Sequence, residues 1–308
     1  MSAPLLIVNP SSGRELAGAQ AEALVLALEP HFGSIDLFET TGDGDAAGAA
    51  RHAVDRGCDT IFVAGGDGTL NEAVNGVWQA DRLDRVRFGI VPLGTGNDFA
   101  AALGVPSAID DAVRIFAERR ELRVDLGVVN GRVFLNTSGG GYIAEVSVAV
   151  TPQLKTIVGR LAYLIGGAQA LLEYEPVRAT VRADPGDLRI GLGLYTFAVC
   201  NSRLIGGGRL IAPDAVIDDG LLDVCLIEAM SAVEFVTLAR KVADGEHVTD
   251  ARVRYLQAAS VTIDLDRETR VNTDGEVMTA TRAEYSVLPR AARFFAGDAQ
   301  WAFATRDR

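Results

Sequence analysis

Thr60-Ile61-Phe62-Val63-Ala64-Gly65-Gly66-Asp67-Gly68-Thr69-Leu70-Asn71-Glu72 is the stretch whose reading decides the fold. A short apolar, β-branched run meets a glycine pair, and a polar start then opens an amphipathic segment. That order predicts a strand, a tight turn and a helix. Paired glycines let a backbone approach a polyphosphate closely, and the helix N-terminus behind them offers unbonded N–H groups and a positive dipole end. Asp67 is an anion like phosphate, so it is expected to act there through Mg²⁺ or water.

The same unit recurs on both sides. Leu5–Asn9 reads as a strand, Glu15–Glu29 as a helix, Ile35–Glu39 as a strand and Asp45–Arg56 as a helix. Downstream, Thr69–Gln79 is helical, Arg87–Val91 extended, and Asp98–Leu103 and Ala108–Glu118 helical. Alternating β and α elements predict an α/β domain over residues 1–123, a parallel sheet with helices on both faces. Ligands to such a sheet bind beyond the carboxyl ends of its strands. Three glycine-bearing turns fall there: Pro10–Gly13, Gly65–Gly68 and Leu93–Gly96. In Pro92-Leu93-Gly94-Thr95-Gly96-Asn97-Asp98 two glycines flank a threonine, which suits a nucleotide; the plainer alternative is a turn capped by Asn97 or Asp98.

Beyond about residue 124 the rhythm becomes β-rich. Arg123–Val129, Arg132–Asn136, Val177–Arg182, Leu192–Cys200, Leu221–Ile227, Val261–Leu265 and Tyr285–Leu288 read as strands, divided by turns such as Asn130–Gly131 and Asp219–Gly220. Helices are expected at Leu154–Leu172 and Ala232–Ala243. The expectation is a mainly antiparallel β-sandwich over 124–290, with 291–308 packing back on the first domain.

Composition narrows the function. A net charge of -12 speaks against a nucleic-acid partner. Cys58, Cys200 and Cys225 are odd in number and far apart, as expected in a reducing cytoplasm and unlike a disulfide framework or zinc site. His31, His52 and His247 are equally scattered. No apolar run approaches the roughly 20 residues that span a bilayer, so membrane contact is expected to be peripheral. Lys155 and Lys241 are the only lysines. P-loop and protein-kinase mechanisms place a phosphate-binding lysine early, beside the glycine-rich element, and are excluded.

The motifs together resemble the bacterial lipid kinases of the diacylglycerol kinase, sphingosine kinase and ceramide kinase superfamily. They run in order through nearly the whole chain: VNPSSG (Val8–Gly13), GGDGTLNEAVNG (Gly65–Gly76), PLGTGNDFA (Pro92–Ala100), NTSGGG (Asn136–Gly141), GGGRLIAPDAVIDDGLLDV (Gly206–Val224) and NTDGE (Asn272–Glu276). NAD kinases share the GGDGT turn but not the later motifs. The resemblance implies an ATP- and Mg²⁺-dependent kinase acting on a lipid hydroxyl, diacylglycerol-like by preference. It places nucleotide contacts on Asn9, Thr40, Gly65, Gly66, Asp67, Gly68, Thr69, Leu70, Asn71 and Thr95. It also implies that Asp125 joins Asp67 in a magnesium–water network, that Val216, Asp219 and Leu221 hold a structural Mg²⁺ partly through carbonyls, and that Asp274 and Glu276 are the catalytic acids. The implied partner is a lipid presented at the inner membrane surface by peripheral contact. The β-rich half could also bury a dimer edge, leaving a homodimer open.

Residue chemistry agrees with those roles. An alcohol nucleophile needs an acceptor for its proton, and a carboxylate suffices when alignment and charge neutralisation do most of the catalysis. On its own, Asp274-Gly275 would read as a hairpin turn. Asp214–Gly220 has the acidic density of a hard-cation loop, although Ala215 and Ile217 exclude an EF-hand. Leu154–Leu172, with Tyr163, Leu164, Ile165, Leu171 and Leu172, is a candidate wall for acyl chains. Three rivals stand beside the lipid kinase. A dinucleotide oxidoreductase would use Gly42-Asp43-Gly44…Gly48, but its spacing is GxGxxxG and acids crowd it. The others are a lipid-binding regulator without turnover and a kinase of NAD or another soluble substrate.

Overall fold

The computed structural model describes residues 2–12, 18–149, 174–184 and 188–299. In the first half the elements are β1 (Leu5–Val8), α1 (Gly18–Phe32), β2 (Asp36–Glu39), α2 (Asp45–Asp55), β3 (Thr60–Gly65), α3 (Asp67–Gln79), β4 (Arg87–Pro92), α4 (Asp98–Ala102) and α5 (Ile109–Ala117). β1 pairs in parallel with β2 and β3, and β3 in parallel with β4. The helix expected at Glu15–Glu29 runs on to Phe32, with Pro30 in its last turn.

The second half comprises β5 (Glu121–Val129), β6 (Arg132–Phe134), β7 (Thr137–Gly141), α6 (Tyr142–Ala149), β8 (Val177–Asp184), β9 (Leu188–Cys200), β10 (Leu204–Ile205), β11 (Arg209–Leu210), β12 (Leu222–Glu228), α7 (Ala232–Lys241), β13 (Val253–Ala258), β14 (Ser260–Thr273) and β15 (Glu276–Phe295). Its pairings are antiparallel. β8 bonds to β9 and β14, and β7 bonds to the same two strands further along, so these four strands close a ring. The ring requires β9 and β14 to be long enough to serve two neighbours in succession. The helix expected at Leu154–Leu172 lies outside the described residues.

β15 joins the halves. It was expected only at Tyr285–Leu288, yet it spans twenty residues. Its first part pairs β14; after a break in register between Leu288 and Ala292, Arg293 and Phe294 pair in parallel with Arg87 and Phe88 of β4. Arg290, with φ 49, marks the bend. Phe294 and Phe295 thereby enter the first core, where Phe294 stacks on Phe88 at 5.3 Å and Phe295 on Phe62 at 5.9 Å. Each fully buried phenylalanine contributes on the order of 2–3 kcal/mol of transfer free energy, so the strand is strongly anchored at that end. A second core fills the β ring around Phe197, Val199, Val261 and Val271. A third, aromatic cluster gathers Tyr142, Tyr195 and Phe235 beneath α7. The three cysteines are buried and free.

Candidate active site

The loops after β1, β3 and β4 meet at the carboxyl ends of their strands. They enclose a cleft of about 300 Å³ lined by Ser11, Ser12, Gly66, Asp67, Gly94, Thr95, Gly96 and Asn97. A Cβ on Gly94 would stand 2.8 Å from the Cα of Gly66, so the two glycine loops can touch only because neither carries a side chain. Asn9 Nδ2 donates to Thr69 Oγ1 at 2.9 Å, tying the first loop to the second. No side chain caps α3, which begins directly after Gly66, and this leaves its N-terminal turn open to an anion.

Asp67 does more than face the cleft. Its carboxylate accepts the Asp98 N–H at 2.8 Å and the Phe99 N–H at 3.1 Å, and so caps α4 from another loop. The plainer alternative, a local cap, is not what forms: Asn97 sits in the left-handed region and donates to Gly94 O at 2.6 Å. Burial, with Asp274 and Asp98 nearby, pushes the Asp67 carboxyl up to about 6, against the two N–H bonds that pull it down. Asp98 passes the linkage on. Its own carboxylate accepts Gly207 N–H at 3.0 Å and Gly208 N–H at 2.8 Å, at the tip of the β10–β11 hairpin.

On the other side of α3, Asn71 Nδ2 donates to Asp274 Oδ2 at 2.9 Å. Asp274 also accepts the N–H groups of Leu135, Asn136 and Thr137, so the β6–β7 connection wraps its carboxylate. Burial pushes its carboxyl up, and these donors oppose the shift. Glu276 stays half exposed, ion-paired to Arg132. Asn75, one turn beyond Asn71, donates to Val133 O and accepts from Val133 N, stitching α3 to β6. The sequence reading missed Asn75, although its i,i+4 spacing from Asn71 puts both on one helix face.

Several expected contacts fall elsewhere. Leu70 is fully buried and its amide bonds to Gly66 O, so it supports the turn from the core side. Thr40 is partly buried at the end of β2, its N–H on Val8 O at 2.9 Å, and it is not among the cleft-lining residues. Asp125, expected to share a magnesium–water network with Asp67, sits against the 218–220 loop. Its carboxylate accepts Gly220 N–H and Arg290 N–H, both at 2.6 Å, and its electrostatic neighbours include Asp219 and Arg290. Asp125 therefore pins the 218–220 loop to the bend in β15. Gly44 N–H is taken by Glu72 and Gly42 N–H by Asp45, which occupies the amides a pyrophosphate would need in the oxidoreductase reading.

Among the described residues no three His, Cys, Asp or Glu side chains form a group able to hold a metal ion. A site at 216–221 would therefore have to draw on main-chain carbonyls. One observation fits that: Asp218 Oδ1 is buried without a hydrogen-bond partner, and burial beside Asp125 pushes this carboxyl up to about 6. Buried carboxylate oxygens and carbonyls suit a hard divalent cation, so the residues present fit Mg²⁺.

Comparison with known proteins gives a consistent answer across both halves. Residues 3–129 match the diacylglycerol kinase catalytic domain, and residues 138–296 match the YegS C-terminal NAD kinase beta sandwich-like domain. The chain is 34% identical over 276 residues to a diacylglycerol kinase of Bacillus subtilis, covering 88% of each chain. It is 35% identical over 285 residues to one from Staphylococcus haemolyticus, covering 92% of this chain and 85% of that one. A crystal structure of a diacylglycerol kinase from Bacillus anthracis superposes with a TM-score of 0.80 at 26% identity, over 97% of this chain and 98% of the other. The chain belongs to the diacylglycerol kinase catalytic family of lipid kinases.

Proposed function

We propose that the protein transfers the γ-phosphoryl group of ATP, with Mg²⁺, to the hydroxyl of a diacylglycerol-like lipid. The observation that carries this reading is the 2.9 Å contact of Asn71 with Asp274, which joins the glycine-loop helix to the acidic turn Asp274–Glu276. It supports a proton acceptor working beside a polyphosphate cradle, since the helix that starts at the cleft also holds the acidic turn. In the step, the lipid hydroxyl gives its proton to a carboxylate, its oxygen bonds to the γ-phosphorus, and the β–γ bridging bond breaks to release ADP. Glu276 is the better acceptor of the two acids, because Asp274 already accepts four N–H groups while Glu276 is half exposed beside Arg132. Asp274 then acts as the positioning residue that holds the β6–β7 connection against α3. Bound Mg²⁺ would supply neutralisation of phosphate charge. Asp67 is the carboxylate at the cleft suited to meet it there, and Val216, Asp219 and Leu221 are the groups suited to hold a structural ion.

No helix among the described residues is long and apolar enough to cross a membrane. The proposal places the enzyme in the cytoplasm, where it would meet its lipid by peripheral contact at the inner membrane surface. The names of the relatives favour diacylglycerol over a soluble substrate. Glu276→Gln tests the assignment: phosphate transfer to diacylglycerol in micelles should fall by roughly a hundredfold or more while nucleotide affinity holds. Full activity in that variant would remove Glu276 from the mechanism.

A further inference from the structure

We propose that Arg209 is the cation that meets the terminal phosphate of the nucleotide, an inference resting on the phosphoryl-transfer reading above. The cleft poses a charge problem. Among the described residues none that lines it is a lysine or arginine, and the walls carry Asp67, with Asp98 and Asp274 beside it. Phosphoryl transfer spreads negative charge over three equatorial oxygens, and a guanidinium fork is well matched to them.

The fold delivers one such group. The β10–β11 hairpin turns through Gly206, Gly207 and Gly208, all at positive φ (62, 85 and 99). Asp98 grips the amides of Gly207 and Gly208, so the tip is fastened to the loop that lines the nucleotide cleft. A Cβ on Gly207 would lie 3.8 Å from Gly96 Cα and 3.9 Å from Thr95 O. The tip thus lies against the Thr95–Gly96 backbone of the cleft, and Arg209 carries the first side chain after it. Its head is exposed and Nη1 donates to Gly206 O at 3.2 Å, a neutral contact that costs little to exchange for a phosphate oxygen. Among the described residues, other arginines of the second half are engaged elsewhere: Arg132 with Glu276, Arg203 with Ala215 O and Arg290 with Asp218 O. An arginine supplied in cis from the second half would take over the neutralising role that a lysine fills in P-loop enzymes.

The test is equilibrium binding of MgADP and of the magnesium complex of a β,γ-imido ATP analogue to the full chain, with no lipid present. Arg209→Ala should weaken the analogue about tenfold or more and leave MgADP within about twofold, as expected for one lost charge-assisted contact to the terminal phosphate. Arg209→Lys should recover part of the analogue's affinity, since charge is kept and the fork lost. In lipid phosphorylation, kcat of Arg209→Ala should fall roughly a thousandfold. Parallel weakening of both nucleotides, or no weakening of either, overturns the assignment. Selective loss of the analogue in a chain that phosphorylates no lipid upholds Arg209 and overturns the lipid reading instead.

Discussion

Replacing Asp98 by alanine isolates the linkage between the two nucleotide loops and the second half of the chain. Asp98 is 6% exposed and its carboxylate accepts two backbone N–H groups, from Gly207 at 3.0 Å and Gly208 at 2.8 Å. Hydrogen bonds to a charged acceptor contribute about 1.5–3 kcal/mol each. The hairpin tip is exposed, so the released amides would be rehydrated, and the lower end applies to each. Two bonds then give about 3 kcal/mol of local stability, or roughly a hundredfold in the opening equilibrium of the tip. The backbone N–H of Asp98 still reaches Asp67 in the variant, so α4 keeps its cap. Native-state hydrogen exchange reads the effect directly: protection at Gly207 and Gly208 should fall by roughly two orders of magnitude, with β3 and β4 unchanged. Equal protection at the tip in variant and wild type would refute the claim that Asp98 holds the hairpin on the cleft.

Other perturbations separate catalysis from folding. Asp274→Ala leaves Asn71 Nδ2 and the amides of Leu135, Asn136 and Thr137 without their acceptor, so the urea midpoint should drop by the equivalent of about 3–5 kcal/mol along with activity. Glu276→Gln loses only a half-exposed ion pair with Arg132 and should cost under about 1 kcal/mol on the same assay. The Asp67 carboxyl is raised from 3.8 to about 6 by burial. Its contribution to stability is thus fully present below about pH 3.8 and lost as pH rises through about 6, and Asp67→Asn should flatten that part of the stability–pH curve. Chelation of divalent ions should lower the melting temperature of the wild type, and Asp219→Ala should remove that difference if residues 216–221 hold Mg²⁺.

The loops were legible because their chemistry is local. Paired glycines after an apolar strand announce a turn at Gly65–Asp67 wherever the rest of the chain goes, whereas Asp274-Gly275 reads locally as a plain hairpin turn and was singled out only by the resemblance. What escaped the reading is long-range. Nothing near Asp98 signals that its carboxylate will seek amides more than a hundred residues away, and glycine amides carry no side-chain signature of their own. Asp67 was read as a ligand group but also caps α4, a role that depends on two loops folding against each other. The length of β15 was missed because Pro289 and the charged Arg290 interrupt its pattern where the strand bends. Asp125 was picked out through the resemblance alone, and its bonds to the amides of Gly220 and Arg290 are of the same long-range kind.

The most direct test of the account is transfer of labelled phosphate from MgATP to diacylglycerol in mixed micelles by the wild-type chain and by Asp67→Ala. A Mg²⁺-dependent phosphatidic acid product from the wild type, absent in the variant, is the predicted result. A wild-type chain that binds ATP yet labels no lipid, or an Asp67→Ala chain that labels it at the wild-type rate, would contradict it.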